Sequence, residues 1–286
     1  MRPRGILDAA RRAIESCAVQ ALFGLRRHEA WRGLSGAHDS GTIPARVDAR
    51  VGAQDGERKI MVRPRGVLVV PANNTTMEPE MNALCPDLAP FAVARVQRPP
   101  RTLTVDDLPA YRTSTLEVVE PFLERRPEIV VYGCTAAGFL GGPAGNASMV
   151  AALRARAGVP VVSTAAAMVD VLRHDGIAET AVVTPYLAAV NDGLRAYLGS
   201  AGIAIEVLAG FSCATTEALG RITAAEVRAK ALATVTPASR ALFIACSQLP
   251  TLDVVPDLRR RLGIPVWSSI GATAWAAARV LSAQAA

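Results

Sequence analysis

The sequence predicts an α/β protein built from two similar halves, each with a doubly wound, four-stranded parallel sheet, related by a pseudo-two-fold axis. Short apolar runs rich in β-branched residues alternate with segments of helical period from about residue 66 onward. These runs fall into two sets of four, and segments of the first set reappear in order in the second. Because ligands of open parallel sheets bind outside the carboxyl ends of the strands, we expect the active site in the cleft between the halves.

Eight strands are predicted, with helix-period segments between them. Since the connections are short, the sheets should be parallel and covered by helices on both faces. The predicted strands are 66–70, 94–97, 128–132, 159–163, 181–184, 205–208, 241–245 and 265–268. The predicted helices are 78–85, 114–125, 148–157, 166–174, 187–200, 224–235 and 252–262.

The prediction of two halves rests on an internal repeat in the sequence. Three pairs of segments are similar: 67–71 and 181–185, 129–134 and 241–246, 158–164 and 263–269. Equivalent residues lie 114, 112 and 105 positions apart, and three matches in one order at nearly one offset are hard to obtain by chance. A site shared by the halves would receive one residue of each equivalent pair from each side.

The N-terminal region differs from the rest. Residues 6–25 have the period of an amphipathic helix, and the stretch up to residue 60 is polar and aperiodic. We interpret residues 1–60 as an appendage, largely disordered or the product of a start codon assigned too early. The catalytic region would then be 61–286, with the two halves meeting near residue 178. No secretory signal or membrane-spanning run is recognisable, so we expect a soluble, cytoplasmic protein with no membrane partner.

Charge and cysteine usage exclude several functions. The net charge is +6, but aromatic residues make up only 5% and residues 1–60 supply +4 of that charge, which argues against a nucleic-acid partner. Five cysteines are widely spaced with no CxxC pair, and three histidines lie far apart. Neither a disulfide framework nor a metal site is indicated.

Cys134 and Cys246 are the strongest candidates for chemistry. Each follows an apolar strand and precedes small polar residues, so free backbone N–H groups should surround its sulfur and favour a thiolate. A single free cysteine is more often a buried small hydrophobe, and we interpret Cys17, Cys85 and Cys213 in that way. The appearance of two cysteines at equivalent places in the repeat favours a functional pair.

Polar residues after other strands are candidates for substrate binding. Asn74 follows the first strand and Tyr186 follows its counterpart in the second half. Asn74 is expected to hydrogen-bond a substrate carboxylate, to cap the next helix, or to do both. The glycine-rich stretch 133–142 lacks the spacing of nucleotide-binding loops, and the sequence contains no serine nucleophile elbow.

Four segments together resemble the maleate cis-trans isomerases of the aspartate/glutamate racemase superfamily. They are VPANNTTME (70–78), YGC (132–134), VTPY (183–186) and ACSQLP (245–250). The resemblance covers roughly residues 65–281. It implies an α/β fold of two halves, no cofactor, and a cysteine pair in the cleft.

The resemblance also implies roles for individual residues. Cys134 takes the place of the nucleophile and Cys246 that of the proton donor. Substrate carboxylates would be bound by a set of side chains and backbone cradles: Asn74, Tyr186, Thr135, Ala136, Ser247 and Gln248. The sequence departs from the family in 213–222 (CATTEALGRI), where Thr215 or Thr216 stands in place of a substrate-binding asparagine. This departure leaves open whether maleate itself is the substrate.

The leading hypothesis is a cofactor-independent cis-trans isomerase of a maleate-like dicarboxylate that works by cysteine addition, rotation and elimination. One alternative is a two-base cysteine racemase of an amino acid or hydantoin, which needs the same pair. Another is a non-catalytic protein that binds small acids. Decarboxylation of a malonate needs only one cysteine as proton donor, so the pair argues against it. The expected partner is a small dicarboxylate or related acid, and a homodimer is retained as a candidate assembly.

Overall fold

The computed structural model describes residues 64–284, which form two parallel sheets of four strands each. The first sheet has the order β2-β1-β3-β4 and the second the order β6-β5-β7-β8, so the strands of each half are arranged in the same way. The strands are β1 (Gly66–Pro71), β2 (Ala92–Val96), β3 (Ile129–Tyr132), β4 (Val161–Ser163), β5 (Glu179–Thr184), β6 (Ala204–Gly210), β7 (Leu242–Ile244) and β8 (Val266–Ser268). This architecture confirms the predicted fold class.

The central strands are apolar on both faces because helices cover both sides of each sheet. Every residue of β1, β3 and β7 is buried, as expected for strands of a parallel sheet between helical layers. All ladders are parallel, and β1 pairs with β2 on one side and with β3 on the other. The carboxyl ends of β1 and β3 therefore lie side by side, as do those of β5 and β7.

Ten helices connect the strands within residues 64–284. They are α1 (Met77–Leu84), α2 (Leu108–Leu123), α3 (Thr135–Leu140), α4 (Gly142–Ala157), α5 (Thr164–His174), α6 (Ala188–Ser200), α7 (Thr216–Gly220), α8 (Ala224–Thr234), α9 (Val254–Leu262) and α10 (Ser269–Gln284). The sequence pattern did not predict α3, α7 or α10. Helix α3 is six residues long, α7 is five, and α10 is rich in alanine, so none shows a distinct polar and apolar face.

The helix that follows the last strand of each half packs against its counterpart. Helix α5 follows β4, α10 follows β8, and the two are in contact across the centre of the molecule. The Thr273 hydroxyl donates a hydrogen bond to Thr164 Oγ1 at 2.9 Å, one residue from each half. This bond connects the two halves through their last helices.

Two glycines at equivalent positions end α4 and α9. Gly158 and Gly263 both have a φ of +67°, the left-handed conformation that stops a helix at low cost for glycine. A proline follows each of them two residues later and prevents the helix from continuing. The chain turns at both places into the last strand of its half.

Several predictions fall outside the described residues. The appendage 1–60, the amphipathic helix 6–25, Cys17 and the start of the catalytic region at residue 61 all do so, and the domain boundaries stay predictions. Between residues 64 and 284 no helix is long and apolar enough to cross a bilayer.

Candidate active site

The two candidate cysteines occupy equivalent places in the two halves. Cys134 comes two residues after β3 and directly precedes α3, and its side chain is 3% exposed. Cys246 comes two residues after β7 and is 6% exposed. Each sulfur lies at the carboxyl end of the third strand of its half, where the sheet edge presents it to the region between the halves.

Direct hydrogen bonds join the turns that carry the cysteines. The backbone N–H of Ser247 donates to Thr135 Oγ1 at 3.0 Å, and the Ser247 hydroxyl donates to the Gly133 carbonyl at 2.6 Å. Both bonds are buried, where hydrogen bonds are not weakened by competing water. Gly133 and Thr135, which flank Cys134, are therefore held at a fixed separation from Ser247, which follows Cys246. The Ser247 N–H, predicted as part of a substrate cradle, is used for this contact.

Asn74 holds the turn after β1 against the second cysteine turn. Its side-chain amide donates to the Ser247 carbonyl at 3.1 Å and to Ser247 Oγ at 3.2 Å. Its Oδ1 accepts the N–H groups of Thr76 and Met77, both at 3.0 Å. The structure thus shows the capping function that was one of the two interpretations of Asn74, while its binding of a carboxylate remains a prediction.

Gln248 is anchored next to Asn74 by its own side chain. Its amide group exchanges two hydrogen bonds with Asn73: Asn73 Nδ2 donates to Gln248 Oε1 at 2.8 Å, and Gln248 Nε2 donates to the Asn73 carbonyl at 3.0 Å. The Gln248 backbone N–H points to Cys246 Sγ at 3.4 Å. Gln248 therefore helps to position the Cys246 sulfur, and through Asn73 it also connects the two halves.

The remaining predicted residues divide between the buried site and its rim. Tyr186 is 3% exposed and its hydroxyl lies beside the Cys246 sulfur, and Ala136 is buried in the first turn of α3. Thr215 is exposed and caps α7, where its hydroxyl accepts the N–H of Ala218 at 3.1 Å. The structure brings Tyr186 and Ala136 to the cysteines and places Thr215 on the rim.

Burial is the largest influence on the pKa of the Cys246 thiol. Removal from water raises the pKa of its thiol to about 11, although the Gln248 N–H, the Tyr186 hydroxyl and the positive charge of Arg98 all act to lower it. The expectation that backbone N–H groups favour thiolate is correct in direction at this sulfur, but burial outweighs them. Cys246 is therefore a protonated thiol near neutral pH, surrounded by groups that stabilise the anion once its proton leaves.

This pKa makes the alkylation of Cys246 steeply dependent on pH. In the Cys134→Ser variant, the rate of iodoacetamide labelling at Cys246 should rise about tenfold per pH unit between pH 7 and 9, because only the thiolate reacts. Peptide mass spectrometry separates this rate from those of the other cysteines. A rate that levels off by pH 8 would contradict the assignment of a high pKa.

Four buried polar atoms in the same region have no oxygen or nitrogen partner: one acceptor, Asn73 Oδ1, and three donors, the Nε of the half-buried Arg98 and the hydroxyls of Tyr111 and Tyr186. Each of the two hydroxyls lies beside a cysteine sulfur, Tyr111 beside Cys134 and Tyr186 beside Cys246. Burial raises the pKa of both tyrosines well above the ordinary value, and the neighbouring cysteines raise it further, so both hydroxyls remain donors. Sequence reasoning missed Arg98 and Tyr111. The one available signal was the position of Arg98 just after β2, at the sheet edge that carries the site.

Gly133 is required for the approach of β3 to its neighbours. A Cβ at this position would lie 2.6 Å from Met77 Sδ, 2.9 Å from Val70 Cγ1 and 3.0 Å from the Val69 carbonyl oxygen. We expect Gly133→Ala to lower the free energy of unfolding by about 1–3 kcal/mol and to displace the adjacent Cys134. Urea denaturation measures the first effect and an activity assay the second.

Gly145→Ala is the matched control, because a Cβ on Gly145 in α4 meets nothing within 4 Å. Alanine in a helix interior should raise the stability by up to about 1 kcal/mol. Equal stability of the two variants would show that Gly133 is not under steric constraint.

Within the part of the chain that the structure describes, there is neither a candidate metal site nor a disulfide. Within 64–284 no group of three or more histidine, cysteine or acidic side chains is placed to hold a metal ion. The four cysteines of that range are all free thiols. Cys85 and Cys213 are also buried, and burial raises the pKa of both.

Two equivalent parallel-sheet halves, each placing a cysteine at the end of its third strand, define an enzyme of the aspartate/glutamate racemase-like superfamily. Comparison with known sequences identifies the family within this superfamily. A sequence model of the arylmalonate decarboxylase family matches residues 66–286, and the chain belongs to that family.

Similar proteins include a maleate isomerase and an arylmalonate decarboxylase. Maleate isomerase of Nocardia farcinica (strain IFM 10152) is 32% identical over 222 residues, which are 75% of this chain and 88% of the relative. Arylmalonate decarboxylase of Bordetella bronchiseptica is 28% identical over 225 residues, 77% and 88% of the two chains. These relationships confirm the resemblance to the maleate isomerases and the prediction of an enzyme.

A solved structure has the same fold. It is a cysteine-to-serine mutant of Nocardia farcinica maleate cis-trans isomerase with a covalently bound succinylcysteine intermediate. The sequences are 28% identical, the TM-score is 0.67, and the match covers 76% of this chain and 92% of that one.

Proposed function

We propose that the chain is a cofactor-independent cis-trans isomerase of a maleate-like dicarboxylate. The observation that carries the proposal is the pair of buried cysteines at equivalent strand ends, joined through the Ser247 bonds to Gly133 and Thr135. Two sulfurs on opposite sides of one substrate can act on its two alkene carbons. A decarboxylation that needs one proton donor does not require such a pair.

The first step forms a carbon–sulfur bond. The Cys134 thiolate adds to one alkene carbon, the π electrons move to the other carbon, and that carbon takes the proton of Cys246. The product is a succinyl thioether with a central single bond, together with a Cys246 thiolate. The succinylcysteine intermediate of the N. farcinica isomerase mutant is a species of this kind and supports the route.

Rotation and elimination complete the reaction. Once the central bond is single, the chain turns about it. Cys246 then removes a proton from the carbon that it protonated, the C–H electrons form the trans double bond, and the C–S bond breaks with its electrons returning to Cys134. Both cysteines end in their starting states, so no redox partner is needed.

The surroundings of Cys246 suit the donor role. Its high pKa keeps the proton in place until a carbanion forms next to it. The Gln248 N–H, Tyr186 and Arg98 then stabilise the thiolate that remains. Charge developing on a substrate carboxylate would be stabilised by free N–H groups in the first turn of α3, at Thr135 and Ala136. Asn74 and Tyr186 are proposed as side-chain ligands, with Thr215 at the rim.

The test is an NMR assay of the purified protein. Incubation with maleate should convert it to fumarate without added metal, nucleotide or reductant, and citraconate should show whether a methyl group is tolerated. If maleate stays unchanged while a chiral amino acid or hydantoin exchanges its α-proton in D₂O, the two-base racemase is the correct function. Binding of acids with no turnover of either kind would support the non-catalytic alternative.

A further inference from the structure

Buried hydrogen-bond donors without acceptors surround the cysteine pair. Within residues 64–284, Arg98 Nε makes no hydrogen bond, and the hydroxyls of Tyr111 and Tyr186 have no oxygen or nitrogen acceptor, only the sulfurs of Cys134 and Cys246 beside them. The two tyrosine side chains are 4% and 3% exposed, so bulk water does not reach them freely. A buried donor without an oxygen or nitrogen acceptor is unfavourable, because it has lost its hydrogen bonds to water and gained no equivalent ones. A set of such groups in one region is typical of a site that is completed by a ligand.

Each of the three groups lies close to at least one of the two sulfurs. After burial, the neighbouring cysteine is the strongest influence on the pKa of each tyrosine: Cys134 for Tyr111, and Cys246 for Tyr186. The positive charge of Arg98 acts on Tyr111, on Tyr186 and on Cys246. Arg98 is therefore close to groups from both halves of the site.

The backbone around Arg98 crosses from the first half to the second. Thr216 donates its N–H to the Pro100 carbonyl at 2.8 Å, and Thr102 donates its N–H to the Ala214 carbonyl at 3.3 Å. Arg101 and Thr215 form an isolated antiparallel bridge. These bonds fix the segment 98–102 over the rim that Thr215 occupies, so Arg98 approaches the site on a defined backbone and not on a free loop.

The chemistry of the cluster selects an anion with several acceptor atoms. All three groups donate, and no aspartate or glutamate contributes to the pKa shifts of Tyr111, Tyr186 or Cys246. A carboxylate has two oxygens and accepts from a guanidinium and a hydroxyl together. Neutral amides and single hydroxyls do not offset the positive charge of Arg98.

We propose that Arg98 and Tyr111 bind one of the two carboxylates of the substrate, and that they make the site selective for diacids over monoacids. The inference rests on the proposed function and adds two specificity residues to it. The other carboxylate is left to the N–H groups at the start of α3 and to Asn74. Selectivity arises because a monoacid leaves one of the two anion sites empty, with its donors unpaired.

The experiment compares two ligands that do not react with a thiol. Succinate has two carboxylates and butyrate has one on a chain of the same length, and calorimetry gives the dissociation constant of each. The wild-type protein should bind succinate more tightly. Arg98→Gln should lower the ratio of the butyrate to the succinate dissociation constant by roughly 10- to 100-fold, since a hydrogen bond to a charged group contributes about 1.5–3 kcal/mol.

Three further variants make the result specific. Tyr111→Phe should lower the same ratio by roughly 3- to 10-fold, the effect of one neutral hydrogen bond. Arg98→Lys should retain part of the selectivity because it keeps the charge without the fork of donors. Arg156→Gln removes one exposed positive charge that pairs with Glu120, and should leave the ratio unchanged.

The outcomes separate this inference from the proposed function. If the wild type isomerises maleate and Arg98→Gln keeps the wild-type ratio, or weakens both ligands equally, the inference is wrong and the isomerase assignment stands. If the wild type shows neither turnover of maleate nor preference for succinate, the proposed function itself fails. A selective loss of succinate binding in Arg98→Gln, with normal folding by circular dichroism, supports the inference.

Discussion

Replacing Cys134 by serine should reduce maleate-to-fumarate conversion by at least about a thousandfold, the scale of effect seen when a catalytic nucleophile is removed. A serine hydroxyl has a pKa far above that of a thiol and is a poor nucleophile toward an activated alkene. Serine is nearly isosteric with cysteine, so the fold and the Ser247 bonds to Gly133 and Thr135 should persist. The rate of fumarate formation by NMR is the direct measurement.

Cys85→Ser provides the matched control for this variant. Cys85 is a buried free thiol whose pKa burial raises to about 12, and its Sγ donates weakly to the Ala274 carbonyl at 3.7 Å. A serine can make the same contact, so activity should stay within about twofold of the wild type. Full activity in Cys134→Ser would show that Cys134 takes no part in the reaction, and it would rule out the addition mechanism.

Replacing Cys246 by serine should separate addition from turnover. Without the thiol that delivers the proton and then removes it, we expect the overall rate to fall by about 100-fold or more, the usual contribution of a general acid or base. Cys134 can still attack the alkene, so an adduct should accumulate on it if the serine or a water molecule completes the protonation. Intact-protein mass spectrometry after incubation with maleate should show a gain equal to one molecule of the diacid.

Peptide mapping then locates the adduct. The added mass should reside on the peptide with Cys134, and the Cys134→Ser/Cys246→Ser double variant should gain none. An adduct on Cys213 or Cys85 would instead indicate non-specific thiol addition. If Cys246→Ser turns over maleate at the wild-type rate, the donor role belongs to another group, and Tyr186, whose hydroxyl lies beside that position, is the first candidate.

Most of the fold was predictable because parallel strands buried on both faces leave a strong apolar signal. All eight strands appear within two residues or so of the predicted limits, and β1, β3 and β7 are the most apolar. Helix starts were less predictable: α2 begins at Leu108 and not at residue 114, because a short helical turn at Val105–Asp107 leads directly into it. Helices α3 and α7 are too short for a period to be visible.

The part of the candidate site that the residues alone predicted best is the cysteine pair, because the internal repeat marks it. The repeat distinguishes Cys134 and Cys246 from three other cysteines, and the structure shows the two at equivalent strand ends. Arg98 and Tyr111 have no counterpart in the second half that would distinguish them. Their relation to the site depends on how the segment after β2 crosses to the second half, a long-range contact that no local pattern encodes. The use of the Asn74 amide within the protein was likewise visible only in three dimensions.

The bonds of Ser247 to Gly133 and Thr135 have a mechanical consequence. They connect the two cysteine turns, so the halves cannot separate at this point without breaking buried hydrogen bonds. We therefore expect these bonds to persist throughout turnover, so that a diacid enters and leaves the site without any separation of the two cysteine turns.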